Sequence, residues 1–135
     1  MRDNPPSTAE MRSEATHALS SLTLSPDGRT VTADFMLDGT LPIFEGHFPG
    51  MPVIPAVYQI ALCADAAKAA GPFVLSAVVR SRFTRMCVPD TRYALKISLA
   101  EKDGGTEASC VIYNAEDNGA CSKIVLRFDK VPESS

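Results

Sequence analysis

The stretch Phe44-Glu45-Gly46-His47-Phe48-Pro49-Gly50-Met51-Pro52-Val53-Ile54-Pro55 sets one of the chain's two histidines among glycines and prolines. Glycine frees the backbone and proline fixes it, so this mixture specifies a loop of defined shape rather than a loose connector. An imidazole titrates near neutral pH, which suits His47 to accept or donate a proton in a general acid–base step. A base of this kind works with an acid. Glu45 is the only carboxylate within the loop, and it reads more readily as an exposed loop residue. Beyond the loop, residues 58, 61, 65 and 68 share one face at helical spacing, which groups Tyr58, Ala61, Asp65 and Lys68. Asp65 reads first as a surface carboxylate paired with Lys68 at i, i+3, and second as a proton donor. Gln59 and Cys63 fall on another face and read as packing or substrate-contact residues at best.

These residues need elements to hold them. Residues 56–70 contain seven alanines and no Gly or Pro, and Gly71-Pro72 follows, so a helix is expected over Ala56–Ala70 with Pro55 in its first turn. Alanine lies nearly all round it, which predicts a buried central helix approached closely by neighbouring backbone. Before the loop, Leu22 and Leu24 alternate with polar residues. Ser25-Pro26-Asp27-Gly28 supplies a turn, and Val31, Ala33, Phe35 and Leu37 alternate again, which predicts a hairpin. After the helix, strands are expected at Phe73–Thr84, Tyr93–Leu99, Ala108–Ile112 and Ala120–Phe128. Asp103-Gly104-Gly105 and Asp117-Asn118-Gly119 provide turns between them. Two strands, one helix and four strands predict an α+β fold, an antiparallel sheet wrapped around one long central helix.

The chain has 135 residues, 45% hydrophobic and 21% charged, enough for one domain with a real core. Residues 1–16 read as a flexible arm, 17–131 as the domain and 132–135 as a flexible tail. A net charge of −3 gives no footprint for nucleic acid or an anionic membrane. With no apolar stretch of spanning length and no signal-like N-terminus, a cytoplasmic location is expected. Cys63, Cys87, Cys110 and Cys121 form no CxxC pair, so they read as reduced, buried thiols rather than a zinc site.

The run from Gly46 to Pro55 resembles the active-site motif of the hot-dog-fold 3-hydroxyacyl-[acyl-carrier-protein] dehydratases. Arg82-Phe83-Thr84-Arg85-Met86-Cys87-Val88-Pro89-Asp90 is similar to that family's later strand and turn. The resemblance covers most of residues 19–128, and Gln59 suggests the branch serving aryl-polyene and related fatty-acid or polyketide pathways. It implies His47 as the base that removes the proton beside a thioester carbonyl. N–H groups at the helix start, around Ala56 and Val57, would bind the enolate-like oxygen. Phe48, Gly50, Pro55, Tyr58 and Ala61 would join Ala56 and Val57 in contacting the substrate, whose acyl chain would lie in an apolar tunnel along the helix. No bound cofactor or metal is implied. The partners implied are an acyl carrier protein delivering a pantetheine-linked thioester and a second hot-dog subunit, as homodimer, heterodimer or higher oligomer. Arg80, Arg82 and Arg85 would contact the acidic carrier, or would equally form a solvated strand edge.

The chain departs from the family pattern at two positions. The family's helix carboxylate, fourteen residues after the histidine and reaching the site across a dimer interface, is replaced by Ala61. The helix-entry glycine is replaced by Ala56. Asp65, one turn beyond Ala61, or a carboxylate from a partner would have to act as the acid. The readings that follow are a dehydratase acting alone or as the His47-bearing half of a heteromer, a catalytically silent subunit, and an acyl thioesterase using Glu45.

Overall fold

The computed structural model describes residues 19–41, 44 and 53–130. The strands are β1 (Leu19–Leu24), β2 (Thr30–Phe35), β3 (Phe73–Phe83), β4 (Tyr93–Lys102), β5 (Gly105–Asn114) and β6 (Ala120–Lys130). One α-helix, α1 (Ala56–Ala67), runs into a 3₁₀ turn at Lys68–Ala70. The six strands form one sheet in the order β1-β2-β4-β5-β6-β3, and every neighbouring pair is antiparallel. This is the α+β arrangement expected from the element order. The expected arm at 1–16 and tail at 132–135 lie outside the described residues.

Alternation along the strands builds the core, because every second side chain points to the same face. Val31 on β2 stands opposite Ile97 on β4, Ile97 opposite Cys110 on β5, and Cys110 opposite Ile124 on β6. All four are buried. Phe35 stacks on Tyr93 with ring centroids 5.4 Å apart. The predicted turns are present. Asp103 and Gly104 both have positive φ, at 51° and 81°, the conformation that a two-residue hairpin turn demands and that glycine adopts without strain.

The helix corrects one expectation. It is short, 12 residues of α-helix and a 3₁₀ turn, rather than a long helix over Ala56–Ala70. The Gly71 N–H bonds back to Lys68 O, three residues away, at 3.2 Å. Pro72 disfavours the α-conformation for the residue before it, so the last turn tightens instead of continuing. The helix is also buried mainly on one side, with Ala64 the buried exception on the outer arc. Tyr58, Gln59, Leu62, Cys63, Ala66 and Ala67 are buried, whereas Val57, Ile60, Ala61, Asp65 and Lys68 on the opposite arc are exposed or half-buried. A single sheet covers a single side.

Candidate active site at the helix start

Both ends of the histidine-bearing loop are anchored. At its beginning, Phe44 is buried, its N–H bonded to Leu41 O at 3.1 Å. At its end, Ile54 is buried and donates its N–H to Cys87 O at 2.7 Å. Glu45, His47, Phe48 and Gly50 lie between these anchors, outside the described residues. The segment after β3 is held in turn, because Val88 N–H donates to the Tyr93 hydroxyl at 2.8 Å and Asp90 N–H to Leu37 O at 2.6 Å. The Arg82–Asp90 stretch, singled out in the sequence, therefore supports the loop's exit.

Pro55 is the N-cap of α1, with φ −62° and ψ 151° and no side-chain cap. Its carbonyl accepts from both Tyr58 and Gln59 N–H at 3.1 Å. The preceding N–H groups, Ala56 and Val57, belong to the helix end whose donors have no intrahelical acceptor. Both residues are exposed, Val57 at 50%. This end of the helix presents donors and the positive end of its dipole to whatever approaches.

The other expected site residues are distributed along the helix. Tyr58 is fully buried, facing the sheet. Ala61 is half-buried on the outer arc. The Asp65 carboxylate is mostly buried and stands 3.6 Å from the Lys68 ammonium, so the i, i+3 pairing read from the sequence is present. Nine residues separate Asp65 from the helix start, roughly 13 Å along the axis. Of the three arginines, Arg80 and Arg82 are exposed on β3. Arg85 is engaged by Asp117 at 3.1 Å, a bond that holds the Asp117 carboxyl below the usual carboxylate range.

The four cysteines are buried and free. A hydrogen bond with Cys110 and burial hold the Cys63 thiol well above its ordinary value of 9.0. Burial pushes the Cys87 thiol up to about 12. A protonated thiol is a poor nucleophile, so neither is poised for covalent chemistry. Among the described residues, no group of three or more His, Cys, Asp or Glu could hold a metal, and no helix is long and apolar enough to cross a membrane. A cleft of about 810 Å³ opens near the far end of the helix, lined by Asp27, Arg29, Ala70, Phe73 and Leu99 among others; it includes no expected site residue.

Sequence reasoning underrated Gln59. It is 4% exposed, donates from Nε2 to Ile54 O at 3.1 Å, and accepts from the Ser122 hydroxyl at 2.5 Å. The sequence offered packing or substrate contact for it, and the burial fits packing. The only signal for a buried amide was its place between Tyr58 and Leu62, on the face turned to the sheet.

Comparison with solved structures supports the fold. The chain is similar to the dehydratase heterocomplex ApeI:P from Xenorhabdus doucetiae, with 23% identity, TM-score 0.67, and 83% of this chain and 96% of that chain covered. It is similar to an uncharacterized protein from Erwinia carotovora subsp. atroseptica, with 18% identity, TM-score 0.65, and 84% and 93% covered. A thioesterase superfamily protein shares the fold at 20% identity and TM-score 0.57, with 79% and 54% covered. No curated protein sequence matches the chain. The family model of the ApeI-like dehydratases matches residues 23–124. With the six-stranded hot-dog sheet and the motif through Pro55, that match makes the chain a member of the ApeI-like dehydratase family.

Proposed function

We propose that this chain is the histidine-bearing subunit of a (3R)-3-hydroxyacyl-[acyl-carrier-protein] dehydratase. His47 takes the proton from the carbon beside the thioester carbonyl, and the Ala56 and Val57 N–H groups bind the oxygen on which negative charge develops. A carboxylic acid protonates the departing hydroxyl, which leaves as water, and an enoyl thioester remains. The observation that carries this reading is the exposed helix start without a side-chain cap, directly after the His47 motif.

The acid comes from a partner subunit. Ala61 supplies none, and Asp65 is far down the helix beside Lys68. The fold offers a surface for that partner. Among the described residues β3 is an edge strand paired only with β6, and Val74, Val78, Val79 and Phe83 along it are 40–52% exposed. An apolar edge with unpaired backbone groups favours pairing with a strand of a second hot-dog subunit. The ApeI:P neighbour, itself a heterocomplex, supports a heteromer over a homodimer. The carrier protein, acidic and bearing the pantetheine-linked thioester, meets Arg80 and Arg82, which share a face of β3. Exposed Lys123 on β6 pairs with Arg82.

The test is to mix the purified protein with a 3-hydroxyacyl-carrier protein, alone and with a related hot-dog subunit, and follow loss of water by mass. Dehydration by the mixture is expected. No turnover in either arm would overturn the reading, and release of free thiol without an enoyl product would favour a thioesterase.

A further inference from the structure

The Gln59 side chain joins three segments that meet beneath the helix start. Its Nε2 donates to the carbonyl of Ile54, the last loop residue before Pro55. Its Oε1 accepts from Ser122 on β6, which is 1% exposed. A backbone carbonyl only accepts, so the Ile54 contact fixes which way the amide points. Ile54 in turn donates its N–H to Cys87 O. The loop end, the first helical turn, β6 and the segment after β3 are thereby tied into one buried polar cluster.

Stability alone does not call for this arrangement. Packing a glutamine into a core costs side-chain entropy and desolvation, and an apolar residue of similar length would fill the same space without either cost. What the amide adds is direction, since two hydrogen bonds fix the loop end relative to β6 where packing would leave it free to slide. We infer that Gln59 is a positioning residue: its amide latches Ile54 to Ser122 and so sets where the Ala56 and Val57 N–H groups stand. The inference rests on the proposed function only in taking those N–H groups as the oxyanion donors. The latch itself is a property of the fold.

The experiment has two readouts. Amide hydrogen exchange, followed by NMR on the intact chain, compares Ile54 with Leu95 on β4 in the wild type, Gln59→Met, Ser122→Ala and Ser122→Thr. In Gln59→Met and Ser122→Ala, exchange at Ile54 should speed up by at least about tenfold while Leu95 is unchanged, a local rather than a global opening. Ser122→Thr, which keeps the hydroxyl, should restore protection. In the heteromer with a 3-hydroxyacyl thioester, kcat should fall by at least about tenfold in the first two variants with KM changed less than about twofold, the pattern of a misplaced transition-state donor. Equal acceleration at Ile54 and Leu95, or none at either, would overturn the latch. Should Gln59→Met fail to fold, Ser122→Ala gives the same readout. If the wild-type heteromer does not dehydrate the thioester, the proposed function fails while the exchange data still decide the latch.

Discussion

Ala61 stands on the outer arc of α1, fourteen residues after His47, where a methyl group donates no proton. Being only half-buried, it can be replaced by a carboxylate without stranding a charge in the core. Where two copies of the variant pair and share their sites, Ala61→Glu should therefore raise dehydration of a 3-hydroxyacyl thioester by at least about tenfold, toward the 10²- to 10⁴-fold that general acid–base catalysis contributes. Turnover indistinguishable from wild type would place the missing acid elsewhere. The complementary variant is Asp65→Asn. With Asp65 held beside Lys68, the account expects turnover by the heteromer to stay within about twofold, and a loss of the size expected for a general acid would return that role to Asp65.

At the scale of the elements, the sheet was legible because burial and hydrogen bonding follow the same period of two. Val31, Ala33 and Phe35, or Ile124, Leu126 and Phe128, alternate in sequence and are buried in the structure. Strand ends were less legible. β4 and β5 continue their pairing to Lys102 and Gly105, where polar side chains carry no alternation but the backbone ladder persists. The irregularities in β3 pairing near Ser76 and Val79 left no trace in the residue types. The helix start was legible from Pro55. Its length was overread, because an alanine-rich run does not distinguish an α-turn from a 3₁₀ turn. Leu62 is fully buried at the middle of the face that α1 lays on the sheet. Leu62→Ala should cost about 2–5 kcal/mol in chemical denaturation, with the fold retained. A cost near zero would mean that the helix is not seated on the sheet as described.

For the whole molecule, the buried thiols set how stability depends on pH. The Cys87 thiol is pushed up to about 12 by burial, and Cys63 is raised well above 9.0. As pH rises past 9, the unfolded chain releases these protons while the folded chain keeps them. Their contribution is thus fully present below pH 9 and falls above it, for Cys87 between 9 and about 12. Denaturation at pH 8 and pH 10 should show lower stability at pH 10, with a limiting slope of about 1.4 kcal/mol per pH unit for each thiol. Replacing Cys87 with alanine should reduce that slope, and an unchanged slope would remove the thiol as its cause. The partner surface belongs to this scale as well. On the proposed function, an open β3 edge and a site lacking its acid both place completion of the enzyme outside a single chain. No residue pattern made that edge legible, because Phe73–Phe83 reads like any other apolar strand until its neighbours are known.

The central claim is that His47 is the base of a working dehydratase site. Its most direct test is turnover of a 3-hydroxyacyl-carrier protein by the heteromer assembled with either wild-type chain or His47→Ala. The account predicts that His47→Ala lowers the rate of enoyl formation by about 10²- to 10⁴-fold while the complex still assembles. An intact complex turning over at the wild-type rate would contradict it, and would leave this chain a silent partner in another subunit's chemistry.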